Sequence, residues 1–365
     1  VLADYGAEVW KIEHPEKGDD TRHWGPPYVK NSQGEETKQS AYFISANRGK
    51  KSLAIDITSE EGQKTLKKLA LEADILVENF KVGGLKKYGL DYQSIKAIKP
   101  DIIYCSITGF GQTGPAAKNA GYDAMIQAMG GLMSITGEKD ELPGGGPQKV
   151  GVAVADLMTG MYAVTAILAA LHHRTTNGVG QHIDLALLDT QVAWLANQAS
   201  NFLVSNDVPT RLGTAHPNIV PYQAMKVKDG HILLAVGNDN QFQKCCKIIG
   251  CPEIAIDEKY STNSLRVKHR EELIPLLESY FEKHDLDFWL EHLSDAHVPC
   301  GPINSIDRVF ENEQVKHRNM SFHLNHPEIG DIPQVANPVK FSETQIEYNA
   351  APPTLGQHTK QILDK

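Results

Sequence analysis

Through the first two hundred residues, short runs of branched and apolar side chains alternate with longer stretches whose apolar positions recur every three or four residues. The runs at 9–13, 52–57, 75–77, 102–107 and 181–185 predict strands, and the stretches 59–73 and 92–97 predict helices. Thr58 and Glu61 stand at capping-box spacing ahead of the stripe Leu66, Leu69 and Ala70. The most extended helical pattern starts beside Asp156 and continues through Leu157, Met161, Val164, Leu168 and Leu171; a second one covers 187–203. Strand–helix alternation of this kind predicts an α/β fold with a parallel sheet, because parallel neighbours need a crossover long enough to hold a helix.

From Ser205 the texture changes. A polar loop leads to two runs, 223–227 and 231–236, turned at Asp229-Gly230 as a hairpin. Helical patterns follow at 241–249, 268–283 and 285–296, then a short run at 298–303. This predicts a smaller α/β domain over 218–308, apart from a large domain whose N-terminal part is 1–204. The last segment, 322–365, is short-stranded, rich in proline (Pro333, Pro338, Pro352, Pro353), and ends in a helical pattern at 358–363. At the other end, Val1-Leu2-Ala3-Asp4 reads as the close of a helix stopped by Gly6.

Composition narrows the function. With 365 residues, 41% of them hydrophobic, the chain can bury a sizeable core and divide into two domains. No apolar run reaches the ~18 uninterrupted residues of a membrane span, so the expectation is a soluble protein with no membrane partner. A net charge of −9 and a pI near 5.9 argue against nucleic acid as a partner, although a local basic patch can still meet a polyanionic ligand. The five cysteines (105, 245, 246, 251, 300) include no C-x-x-C pair and suggest no disulfide framework, which points to reduced thiols. The fifteen histidines show no H-x-x-x-H or H-E-x-x-H spacing, and no metal is expected.

Three patterns hold chemistry. Residues 109–114 (GFGQTG) follow a predicted strand and fit G-x-G-x-x-G, but no strand ending in a carboxylate follows ~20 residues on, as a dinucleotide site requires. They read as a glycine loop at the carboxyl end of a strand, where α/β folds bind ligands of many kinds. Residues 47–51 (NRGKK) are the densest basic cluster, either a solvated face or a phosphate contact. Asp156 is a lone carboxylate at a helix start. It is either a simple cap or a nucleophile held ionised by the helix's N–H groups and macrodipole.

Taken in order, the segments around these residues say more than any one of them. GAEVWKIEHPEKGDDTRHW, NRGKKSLAID, ADILVENFKVGG, SITGFGQTGP, GYDAMIQAMGGLMSITG, KVGVAVADLMTG, RLGTAHPNIVPYQ, AVGNDNQF and VPCGPIN together resemble the class III CoA-transferases. That family includes formyl-CoA and carnitine CoA-transferases, with the α-methylacyl-CoA racemases as relatives. The resemblance covers nearly the whole chain. It implies a Rossmann-like parallel-sheet large domain with a smaller α/β domain, a C-terminal segment that returns to the large domain, and two chains interlocked as a homodimer. It also implies a strand and an R-x-x-A-G-P-type loop ahead of Val1.

The resemblance makes Asp156 the acyl-accepting nucleophile. It sets CoA against Ile55, Thr58, Asn79, Phe80 and Lys87, strengthens Arg48, Lys50 and Lys51 as phosphate contacts, and brings Trp24, in its D-x-T-R-x-W motif, and Tyr122 to the site. His14 and Ala120 depart from basic positions in relatives. Tyr122 stands where the racemases carry a proton-abstracting His; tyrosine, with a pKa near 10, is a poor base, and its alternative is a core residue with a satisfied hydroxyl. The pattern is nearest to members that move CoA from succinyl-CoA to glutarate or hydroxymethylglutarate in the mitochondrial matrix, through an aspartyl anhydride and an aspartyl-CoA thioester. The partners are then an acyl-CoA and a dicarboxylic acid. The CoA thioester is a substrate, and no cofactor is needed. A racemase or other acyl-CoA enzyme of the same fold is the alternative, with a CoA-binding regulator behind it. Arg22, Arg48, Arg174 and Arg211 are eligible for the acid's distal carboxylate, Arg48 ahead of the others. Gly130, Gly131 and Gly160 are eligible oxyanion donors, and Asp239 reads as a turn residue.

Overall fold

The computed structural model describes residues 1–326 and 328–364; of the predicted C-terminal segment, Pro327 and Lys365 lie outside the described residues. The chain forms two compact units that interleave along the sequence. Val1–Tyr122, Ala155–Thr190 and Asp307–Lys365 make the first, Asp123–Val154 and Gln191–Ile306 the second. In chain order the strands are β1 (Val9–Glu13), β2 (Tyr28–Lys30), β3 (Glu36–Ser40), β4 (Lys50–Ala54), β5 (Ile75–Glu78), β6 (Ile103–Thr108), β7 (His182–Ala186), β8 (Tyr222–Val227), β9 (Gly230–Ala235), β10 (Cys300–Pro302), β11 (Ser321–His326) and β12 (Gly330–Val335).

The α/β class with parallel pairing is what the structure has. β5, β6 and β7 form a parallel sheet with β6 in the middle, and β1 pairs in parallel with β4, Val9 opposite Lys50. β6 is buried on both faces, which is why it reads as an unbroken apolar run. On one face Tyr104 joins Ala70, Leu85, Leu90, Ile95 and Ile102. On the other, Cys105 meets Ala163 and Ile167 of the long helix Val154–Asn177, with Ile75, Ile107, Ile183 and Leu185 around them. The second unit wraps the antiparallel sheet β10-β9-β8 around a core of its own, which includes Phe242, Leu277, Phe281, Trp289 and the buried Cys245, Cys246 and Cys251. All five cysteines are free thiols.

Several local expectations shift. The helix predicted over 59–73 runs Glu60–Glu72, and its cap is Ser59, whose Oγ accepts from the Gly62 N–H at 3.0 Å; Thr58 instead bonds Asp56. The helix predicted over 187–203 is two, Leu187–Ala193 and Ala196–Ser205, because Ala196 turns left-handed at φ 46°. The pattern 268–283 becomes the shorter helix Arg270–Phe281, and a separate helix not expected from the sequence, Asn263–Lys268, precedes it across His269. The hairpin turn falls one residue early, at Lys228-Asp229, since Val227 pairs with Gly230.

The helix Val154–Asn177 corrects the expectation that no segment is long enough to span a membrane. At 24 residues it is long and apolar enough by length and composition, and 28% of its apolar stretch is buried. Thr159 and Thr165 interrupt the apolar run, yet their hydroxyls donate back to the carbonyls of Ala155 and Met161 and are satisfied within the helix.

Candidate active site

The long helix decides where Asp156 sits in the first unit. Near its C-terminus Arg174 bonds the Asp74 and Asp101 carbonyls at 3.2 and 3.4 Å and pairs with the Asp74 carboxylate at 2.7 Å. Those residues precede β5 and β6, so the helix runs antiparallel to the strands. From Arg174 back to Asp156 it spans about 27 Å, against about 20 Å for the six residues of β6. Asp156 therefore stands on the carboxyl-end side of the sheet, exposed, in the first turn of a helix whose end favours an anion.

The same side carries the glycine loop. Gly111 accommodates φ 85°, its N–H donates to Thr108 Oγ1, and the Gln112 N–H donates to both carboxylate oxygens of Asp184 on β7 at 3.1 Å. Gly109 and Gly121 lie backbone to backbone. A Cβ on Gly121 would sit 2.4 Å from the Gly109 Cα, and one on Gly109 2.6 Å from the Gly121 Cα. This close approach brings Tyr122 across the end of β6, where the residue is 69% exposed, so it is not a core tyrosine. Asn79 and Phe80 follow β5 directly and are exposed, the Phe80 N–H donating to Glu78. Trp24 is 54% exposed and packs edge-on against Tyr42 at 4.9 Å.

Other predicted contacts have local engagements. Ile55 is buried with Leu53, Leu69 and Ile362. Thr58 Oγ1 donates to Asp56 at 2.7 Å, and exposed Lys87 lies over the Tyr88 ring. Within the basic cluster the three cations differ. Arg48 is bidentate to Asp4 at 2.9 Å and also donates to the Val335 carbonyl, its guanidinium beside the Phe322 and Tyr348 rings. Lys51 pairs with Glu8 at 2.8 Å. Lys50, partly buried, donates to the neutral Asn47 Oδ1 at 3.0 Å and has no ion pair among the described residues. Burial, with Lys11 next in effect, lowers its pKa to about 8.

The four arginines offered for a distal carboxylate are all occupied. Arg22 is buried and bidentate to Glu13, with Phe43 3.8 Å from its guanidinium carbon. Arg48 and Arg174 are paired as described, and Arg211 holds Asp140 and the Ser134 and Glu138 carbonyls. The glycines offered as oxyanion donors are also spoken for. Gly130 and Gly131 donate to Ile126 and Ala128, and Gly160 lies inside the helical ladder. Asp239 opens the helix Asp239–Ile249 and pairs with the fully buried Arg266 at 2.7 Å. Sequence reasoning missed Gln127, fully buried in the second unit and bonded to Asp123, Val150 and Val152.

The chain is similar to known proteins over nearly its whole length. The sequence model of CoA-transferase family III matches residues 1–359. A protein of Agrobacterium fabrum named succinate–glutarate CoA-transferase is 49% identical over 363 residues, covering 100% of this chain and 90% of that one. Mouse and human proteins named succinyl-CoA:glutarate CoA-transferase are 46% identical over 362 residues, covering 99% of this chain and 80% of theirs. The crystal structure of a CaiB/BaiF family protein from Brucella suis, 48% identical, superposes with a TM-score of 0.84 over 99% of this chain and 92% of that one. A sequence matched over this length on a fold of the same shape leaves one conclusion: the chain belongs to CoA-transferase family III and is an enzyme that transfers coenzyme A.

Proposed function

We propose that the enzyme moves CoA from succinyl-CoA to glutarate or a glutarate-like dicarboxylate such as hydroxymethylglutarate, with Asp156 as the acyl acceptor. The observation that carries the reading is Asp156 itself, an exposed carboxylate in the first turn of the long helix, on the sheet side where the glycine loop and Tyr122 emerge. The names of the bacterial, mouse and human relatives supply the acids.

Asp156 attacks the thioester carbonyl to give a mixed anhydride and free CoA thiolate. The thiolate returns to form an aspartyl-CoA thioester and releases succinate, and the incoming acid reverses both steps. Splitting one transfer into several lowers each barrier. Water has to be excluded while the anhydride exists. Lys50, a partly buried cation with a neutral partner, suits a CoA phosphate; Lys51, Ile55, Thr58, Asn79, Phe80, Lys87 and Trp24 complete the proposed CoA and substrate contacts, while Arg48 is held by Asp4. Tyr122 favours transfer over racemisation, since a tyrosine is a poor base for an α-proton at neutral pH. Leu157, Met161 and Leu168 form an exposed apolar face on the long helix, which supports the proposed homodimer. The proposed compartment is the mitochondrial matrix, where succinyl-CoA donors are at hand; fractionation of source cells tests it.

Mass spectrometry of the enzyme with succinyl-CoA and a panel of acids tests the substrate reading. Glutarate should exceed butyrate by a hundredfold or more in kcat/KM, because a site built for two carboxylates leaves a buried polar group unpaired when one is missing. Equal values would move the reading to a monocarboxylate acceptor. Asp156→Asn should keep the helix start and abolish transfer; substantial turnover by that variant overturns the nucleophile.

A further inference from the structure

We infer that Gln127 is a positioning residue for the transfer step, fixing the segment that delivers Asp156; the inference rests on Asp156 being the acyl acceptor. Gln127 lies on the short helix Asp123–Met129 and is fully buried. Its amide is used at both ends. Oε1 accepts the Val150 N–H at 2.9 Å, while Nε2 donates to the Asp123 carboxylate at 2.7 Å and to the Val152 carbonyl at 3.5 Å. The Val152 carbonyl also accepts the Val154 N–H at 2.8 Å, and Val154 begins the helix that carries Asp156 two residues later.

Residues 137–153 have no helix or strand and contain Gly137, Gly144, Gly145, Gly146 and Gly151, so their backbone has little stiffness of its own. Arg211 restrains the far end of this segment at residues 138 and 140, and the Thr136 carbonyl accepts the Gln148 N–H closer to its other end. At the near end, Gln127 holds residues 150 and 152. The same side chain bonds Asp123, so it ties the two ends of the stretch Asp123–Val154 to each other within the second unit. A leucine has nearly the same volume and none of these bonds. Nucleophilic transfer depends on reacting atoms held near 3–3.5 Å, and a displacement of about 1 Å can cost 10²-fold in rate.

The test compares Gln127→Leu, Gln127→Glu and Asp156→Asn in the full chain with succinyl-CoA and glutarate. Both Gln127 variants should lose ten- to hundredfold in kcat with KM for succinyl-CoA changed by less than about threefold. They should also show a smaller steady-state fraction of aspartyl-CoA thioester in intact-protein mass spectra. Gln127→Glu places a carboxylate against Asp123. Its kcat should therefore recover as pH falls and the pair takes up a proton that can donate between them, a response Gln127→Leu lacks. Native kcat in both Gln127 variants while Asp156→Asn is inactive overturns the positioning role alone. Losses in kcat and thermal stability that move together and show no pH recovery also overturn it. Turnover by Asp156→Asn overturns the reading beneath it.

Discussion

Lys50 shows how a single residue can be read in two ways until its partners are known. In sequence it is one of three cations in NRGKK; in the structure its neighbours are paired and it is not. Burial lowers its pKa to about 8, so near that pH half of it is neutral in the free enzyme. A bound phosphate would restore the charge. CoA binding at pH 8 should therefore take up protons, seen as a dependence of binding heat on buffer ionisation enthalpy, and Lys50→Met should remove most of that uptake. Absence of proton uptake in the native enzyme would take Lys50 away from the phosphates. Arg48 goes the other way. Burial pushes the Asp4 carboxyl up, and hydrogen bonds from Arg48 and Asn337 with the Arg48 charge more than reverse it, so its pKa is lowered. A lowered carboxylate pKa means stability present above the ordinary value and lost as pH falls through the native one. Arg48→Leu should cost about 3 kcal/mol by stranding Asp4, with acid sensitivity reduced and the preference for glutarate over butyrate unchanged. A changed preference measured by competing the two acids would return Arg48 to the substrate.

At the scale of elements, the glycine contact at the end of β6 sets the path of the chain to Tyr122. Neither Gly109 nor Gly121 can carry a side chain without moving the opposing backbone, since the added carbon would lie 2.6 or 2.4 Å away. Gly121→Ala should lower the melting temperature and reduce kcat at least tenfold by displacing Tyr122. A variant with native melting temperature and rate would show that the segment is not held by this contact. The cap of the helix Glu60–Glu72 offers a second check. Ser59→Ala should cost about 1 kcal/mol and Thr58→Ala much less, by chemical denaturation, because Ser59 satisfies a first-turn N–H and Thr58 does not.

For the whole molecule, what matters is that the first unit is assembled from three separate stretches of chain. Its last stretch is fastened to the first: the His358 N–H donates to the Ser52 carbonyl at 3.0 Å, Thr359 Oγ1 accepts the Ala54 N–H, and the Pro353 carbonyl accepts from Arg22. Ending the chain after residue 340 should expose β4, leave buried Ile362 contacts unmade and lower the melting temperature of the enzyme. Native stability in that shortened chain would show the strap to be dispensable.

Much of this molecule is local in origin and therefore legible in its residues. β1 spans the residues its apolar run marks, β5 is one residue longer, and the ordered motifs led to the family. These follow from period, capping and chain order, which act between near neighbours. Partnership does not. Sequence ranks Arg48 and Lys51 with Lys50, and only the fold puts Asp4 and Glu8 beside the first two. It cannot see that Gly109 meets Gly121, that helix direction carries Asp156 to the carboxyl side of the sheet, or that Gln127 closes on Val150 and Val152. The reason is range: hydrogen bonds and ion pairs extend a few ångströms in space but reach across any separation along the chain, and only tertiary structure decides which separations close.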